Sequence, residues 1–148
     1  MALFQQINDD LKAAMKSGDR ARVDVLRFSL AGLNAAQKDK GMKEPGATLT
    51  DDEVVANLQK EAKRRRESIE LFKQGNRTDL VEKEEADLAV IMGYLPKELT
   101  REEIERTVLD LKAKGFADFN SLMRESMKVL KGRADGKLVG DVVKANVG

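Results

Sequence analysis

Three observations predict an all-α protein built as two helical domains. Apolar residues recur every three or four positions along most of the 148-residue chain, which is the spacing of amphipathic helices. Aromatic residues make up only 4% of the chain, so the core must consist of aliphatic side chains, the usual filling between packed helices. Pro96 interrupts the helical pattern, and we expect a domain boundary between residues 95 and 96.

The first two helices of the N-terminal domain (residues 1–95) are predicted from their apolar stripes. The first stripe runs from Phe4 to Met15, and Gly18 ends that helix. The second stripe begins at Val23, and its helix is expected to end near Lys40. A loop rich in glycine and proline is predicted over residues 41–49.

The third and fourth helices are predicted from their end signals. Thr50 and Glu53 have the spacing of a capping box, in which each side chain bonds the other residue's backbone N–H. A long helix should follow and stop at Gly75. The fourth helix should begin near Thr78 and run toward Gly93.

The C-terminal domain (residues 96–148) is predicted to contain three short helices. Pro96 cannot donate to a preceding helix and disfavours the α conformation at the residue before it. Thr100, Asp118 and Asp135 are the expected N-caps of the three helices. Gly115 is expected to end the first of them in the left-handed conformation.

Composition excludes several kinds of active site. The chain contains no cysteine and no histidine, so cysteine nucleophiles, Ser-His-Asp relays and thiolate zinc sites are impossible. No glycine-rich segment matches a phosphate loop or a dinucleotide-binding motif. We therefore predict no catalytic residue, no metal and no cofactor in this chain.

Composition also restricts location and partners. No apolar run approaches the length of a membrane span, and the first residues do not resemble a signal peptide, so we expect a cytoplasmic protein without a membrane partner. Lys and Arg number 27 against 26 Asp and Glu, so no overall basic character points to DNA. Any anion-binding function must come from a local cluster of cations.

The first basic cluster, residues 63–66, lies on the long third helix. Glu61 precedes Arg65 by four residues, which places their side chains on the same helix face. This spacing favours local ion pairs over RNA contact.

The second basic cluster joins the last two helices and is more ambiguous. Its candidate anion-binding residues are Lys131, Gly132, Arg133, Gly136 and Lys137, with Arg124 and Lys128 as weaker candidates. Backbone N–H groups at a helix N-terminus, flexible glycines and flanking cations together form a phosphate site. The residues fit a solvated helix connector equally well.

Several motifs in this order resemble the YqeY family. They are Arg66-Glu67-Ser68-Ile69, Gly75-Asn76-Arg77-Thr78-Asp79-Leu80-Val81, Tyr94-Leu95-Pro96 and Lys131-Gly132-Arg133-Ala134-Asp135-Gly136-Lys137-Leu138-Val139. The similarity extends over essentially the whole chain.

YqeY proteins resemble the tail region of GatB, a subunit of the tRNA-dependent amidotransferase. The resemblance implies a tRNA-binding appendage, with tRNA contact at Lys131, Gly132, Arg133, Gly136 and Lys137. It also links the chain to carbon–nitrogen ligase activity with glutamine as the amide donor, although the glutaminase and ATP sites have no counterpart here.

Three hypotheses follow from the resemblance and the residues together. The leading one is a non-catalytic accessory that binds tRNA. The second is a helical interaction module that docks on amidotransferase or synthetase components without RNA contact. The third is an amidotransferase component that needs other subunits for chemistry.

Overall fold

The computed structural model describes residues 2–130 and 132–147, and these residues form seven α-helices and no β-strand. The all-α prediction is therefore confirmed. The helices are α1 (Ala2–Ser17), α2 (Arg20–Lys43), α3 (Asp51–Gln74), α4 (Thr78–Met92), α5 (Arg101–Ala113), α6 (Phe119–Leu130) and α7 (Gly136–Asn146).

The chain forms two compact units, Met1–Leu95 and Pro96–Gly148, and each has its own apolar core. In the N-terminal unit α1 packs along α2, α3 packs along α4, and α2 contacts both helices of the α3–α4 pair. The fully buried side chains of this core come from all four helices, and they include Ile7, Leu26, Leu33, Leu58 and Ile91.

The second helix is longer than its sequence suggests. It continues through Gly41 and ends at Lys43, whereas the glycine predicted an end near Lys40. A glycine inside a helix costs only about 1 kcal/mol relative to alanine, which neighbouring interactions readily offset. Here Lys40 supplies them, because its carbonyl accepts from the Glu44 N–H (2.8 Å) and its ammonium donates to the Thr48 carbonyl (2.9 Å).

The capping box of α3 forms as predicted. The Glu53 N–H donates to the Thr50 hydroxyl (3.2 Å), and the Thr50 N–H donates to the Glu53 carboxylate (3.0 Å). Lys40 also donates to that carboxylate, and this bond is the main reason why the pKa of Glu53 falls to about 2. One carboxylate therefore joins the start of α3 to the end of α2.

Tyr94, the only tyrosine of the chain, joins α1, α2 and the segment after α4. Its hydroxyl donates to Asp10 Oδ2 (2.6 Å) and accepts from Arg22 Nη2 (3.3 Å). Burial, together with the Asp10 carboxylate, raises the pKa of Tyr94 from 10.0 to about 12.

We expect the phenolate absorbance of Tyr94 to titrate with a midpoint near pH 12 in the folded chain. A raised pKa means that the folded state holds the phenolic proton more tightly than the unfolded state. The stability linked to this group is thus complete below pH 10 and is lost as the pH rises toward 12. The Asp10→Asn variant should titrate closer to 10, and a wild-type midpoint of 10 would contradict the hydrogen bond from Tyr94 to Asp10.

In the C-terminal unit α5, α6 and α7 pack against one another. The predicted caps are present, since Thr100 accepts from the Glu103 N–H (3.2 Å) and Asp118 accepts from the Ser121 N–H (3.0 Å). Gly115 takes a φ of +110°, the left-handed conformation expected at the end of α5. The core residues with the least exposure are Ile104, Val108, Leu122, Val139 and Val143.

Candidate phosphate-binding connector and a buried ion-pair network

The connector between α6 and α7 carries the residues predicted to bind phosphate. Lys131 lies outside the described residues. Gly132 has a φ of +83°, a conformation that L side chains rarely adopt, and it turns the chain at the end of α6. Two backbone bonds then hold Arg133, whose N–H donates to the Leu130 carbonyl and whose carbonyl accepts from the Leu99 N–H, both at 2.9 Å. The backbone of Arg133 is therefore fixed between α6 and the segment before α5.

The cationic side chains of this connector are exposed. Arg133 and Lys137 both lie at the surface, and no ion pair joins either of them to a carboxylate in the described part of the chain. The structure thus brings Gly132, Arg133, Gly136 and Lys137 together at the start of α7.

The N-terminus of α7 is already partly satisfied. The Asp135 side chain accepts from the Lys137 N–H (3.2 Å), so this carboxylate occupies a donor that a phosphate would otherwise take. Gly136 is the first residue of α7, and a Cβ built there would meet Met127 Cε at 3.8 Å, an ordinary contact. Phosphate binding at this position would therefore depend on the flanking side chains more than on the helix end.

The two weaker candidates lie on α6. Arg124 and Lys128 are four residues apart and share a helix face that leads to Gly132. Lys128 is paired with Glu125 (2.7 Å), which neutralises part of its charge. The pKa of Asp118 is lowered, chiefly by hydrogen bonds from Ser121 and to a smaller extent by Arg124.

A second polar centre lies in the N-terminal unit, around Arg65. The predicted pair with Glu61 is present, with Arg65 Nε donating to Glu61 Oε2 at 2.9 Å. Arg65 Nη1 also donates to Glu84 (3.0 Å) and Asp87 (3.4 Å) on α4, and Ser29 of α2 donates to Glu61 Oε1 (2.7 Å). One guanidinium therefore links α3 to α4, and Glu61 extends this network to α2.

Arg65 remains charged in this network. Burial alone would lower the pKa of its guanidinium, but the bonds to Glu61 and Glu84 outweigh burial and raise the pKa. Its guanidinium carbon also lies 5.2 Å from the ring centroid of Phe28, within the range of a cation–π contact. The sequence indicated only the Glu61 partner, since no local spacing places α4 beside α3.

Residues 2–130 and 132–147 contain no cluster of acidic side chains with an arrangement suited to a metal ion. None of their helices combines the length and the apolar character that a membrane span requires.

Comparison with known proteins identifies a family and several relatives of this chain. A model of the YqeY family, described as Yqey-like protein, matches residues 4–147. A relative from Pyrenophora tritici-repentis, "Altered inheritance of mitochondria protein 41, mitochondrial", is 31% identical over 153 aligned residues, which cover 99% of this chain and 81% of that protein. The protein of the same name from Lachancea thermotolerans is 35% identical over 60% of this chain and 46% of its own length.

A more distant relative belongs to an amidotransferase. It is one component of the glutamyl-tRNA(Gln) amidotransferase of Thermococcus gammatolerans, and it is 29% identical over 73% of this chain. The aligned part is only 19% of that component, so its activity as a whole does not transfer to this chain.

The expected cytoplasmic location is wrong by this comparison, because two curated relatives are named as mitochondrial proteins. The expectation rested on a missing membrane span and a missing secretory signal. Neither absence distinguishes the cytoplasm from the interior of an organelle, which is addressed by separate targeting segments.

The family match covers nearly the whole chain, and the relative from Pyrenophora tritici-repentis aligns with almost all of it. The amidotransferase relative agrees with the resemblance of the motifs to a subunit of a tRNA-dependent amidotransferase. The chain belongs to the YqeY family and is a GatB/YqeY-like protein.

Proposed function

We propose that this chain is a non-catalytic accessory that binds tRNA through the connector between α6 and α7. The observation that carries the proposal is the exposed pair Arg133 and Lys137, which project from a backbone held by Leu99 and capped by Asp135. Because this backbone is already fixed, phosphate contact requires ordering of the two side chains but not of the backbone that carries them.

Two further observations support RNA as the anion. Arg124 and Lys128 extend the cationic surface along α6. The amidotransferase component that aligns with most of this chain is named for a tRNA substrate. Only one aromatic side chain of the C-terminal unit, Phe119, is exposed among the described residues, so base stacking contributes little and the contact is to phosphates.

Binding of total tRNA should therefore depend on salt. Each phosphate contact contributes about −0.9 to the slope of log K against log salt, so three or four contacts give a slope of about −3. The Arg133→Glu/Lys137→Glu variant should bind at least about tenfold more weakly, with a slope shallower by about 2. Filter binding or fluorescence anisotropy at several salt concentrations measures both quantities.

The matched control is Arg106→Glu/Lys114→Glu, which carries the same change in net charge on exposed residues of α5 and of its C-cap in the same unit. We expect a small, nonspecific loss of affinity for the control. Equal losses in both variants would show that tRNA responds to net charge and not to the connector. No binding of the folded wild-type chain at low salt would refute the proposal and favour docking on a protein component instead.

A further inference from the structure

A cavity of about 410 Å³ lies where α2, α3 and α4 meet in the N-terminal unit. Its size is within the range of small-ligand sites. One wall is apolar, and nearly all of its accessible surface comes from Phe28, which is 61% exposed although it is large and aromatic. Val25 also lines this wall but is only 2% exposed. The floor is the network around Arg65.

The floor carries more negative than positive charge. Glu61, Glu84 and Asp87 face a single guanidinium, and Glu61 and Asp87 are each only 8% exposed. Two carboxylate oxygens, Glu84 Oε1 and Asp87 Oδ1, accept no hydrogen bond from the described residues. Because Glu84 and Asp87 both line the cavity, the floor has acceptor capacity left for a ligand.

The remaining charged groups stand at the rim. Asp24 and Arg64 are exposed and of opposite sign, so they nearly cancel. Lys83 donates to Asp87 Oδ2 (3.2 Å), but its side chain is 66% exposed, which makes it a weakly held internal cation. An entering anion would meet three carboxylates and a guanidinium already bound to them, whereas an entering cation would add the charge that the floor lacks.

We propose that this cavity binds an organic cation, a guanidinium or primary ammonium group on an alkyl stem. The head group takes the acceptor oxygens of Glu84 and Asp87, and the stem packs on the exposed side chain of Phe28. The Phe28 ring adds a cation–π attraction, as it already does for Arg65. The site is separate from the connector and does not depend on RNA binding.

Agmatine, which carries both head groups on one alkyl stem, is the first probe, and inorganic phosphate is the anionic comparison. Isothermal titration of the full chain at low ionic strength should show saturable binding of agmatine. Amide NMR signals of Val25, Phe28, Ser68 and Asp87, which line the cavity, should move when agmatine is added and stay in place when phosphate is added. Phosphate bound at the connector would leave these signals unchanged.

Four variants test the assignment. Glu84→Gln should raise the Kd for agmatine about tenfold, as expected for one lost charged hydrogen bond. Phe28→Leu, which keeps an apolar wall without the aromatic ring, should raise it about threefold. Lys83→Gln should lower the Kd, because the internal competitor is gone. Glu85→Gln is the matched control, an exposed carboxylate next in sequence that does not line the cavity, and it should bind like the wild type.

A comparison of two ligands shows whether the cation belongs to a partner polypeptide or to a free amine. A capped pentapeptide with a central arginine that binds at least tenfold more tightly than agmatine identifies a partner polypeptide, and tighter binding of agmatine identifies a free amine. Absence of saturable agmatine binding overturns the proposal. So does a shift of the cavity amide signals on addition of phosphate, or a loss in Glu85→Gln equal to that in Glu84→Gln.

Discussion

Replacing Arg65 with methionine is expected to lower the free energy of unfolding by about 3–5 kcal/mol. Methionine keeps an unbranched apolar stem but leaves Glu61, Glu84 and Asp87 without their shared cation. Two of these carboxylates are more than nine-tenths buried, so water cannot fully replace the guanidinium. Denaturant unfolding followed by far-ultraviolet circular dichroism measures the loss.

Arg64→Met is the matched control, because Arg64 is the preceding residue of the same helix, is exposed, and forms no ion pair among the described residues. Its effect should stay within about 0.5 kcal/mol. The double variant Arg65→Met/Asp87→Asn should lose less stability than the sum of the losses in the two single variants. The reason is that Asp87→Asn removes one of the negative charges that Arg65→Met leaves without its cation. An Arg65→Met loss no larger than that of the control would show that the network contributes little to stability. Strict additivity would show that Arg65 and Asp87 do not stabilise the fold through each other.

This network marks the limit of what the sequence alone could predict. The Glu61–Arg65 pair was predictable because residues four apart on a helix always lie on one face. The bonds from Arg65 to Glu84 and Asp87 depend on how α3 and α4 pair, and the bond from Ser29 depends on where α2 crosses them. No local spacing encodes these long-range contacts, so the cavity above them was not predicted.

The helix ends show where local signals suffice. Thr50 and Glu53 act within one turn of chain, and the capping box that they predicted is present. The predicted end of α2 was wrong, because Gly41 weakens a helix without forbidding it. Lys40 also stabilises the last turn through a contact with the loop that follows the helix. At the connector, the cap by Asp135 was predictable, whereas the bond from Leu99 that holds Arg133 joins distant parts of the chain.

The second large effect is expected in the C-terminal unit, where Leu122→Ala should lower the free energy of unfolding by about 3–5 kcal/mol. Leu122 is completely buried on α6 in a core shared with Ile104 of α5 and Val139 of α7, so truncation leaves a cavity in the core between these three helices. The exposed Leu109 of α5 provides the matched control, and Leu109→Ala should cost less than about 1 kcal/mol because it removes little buried area.

Hydrogen exchange measured by residue shows where the Leu122→Ala loss falls. Because each unit has a core of its own, the amides of α5, α6 and α7 should exchange faster while those of α1–α4 keep their protection. The connector joins α6 to α7, so tRNA binding should fall at temperatures where this unit opens even though Arg133 and Lys137 are intact. Equal acceleration in α1–α4 would mean that the two cores unfold as one. Unchanged tRNA binding after the C-terminal unit has opened would separate RNA recognition from the fixed backbone on which the proposed site depends.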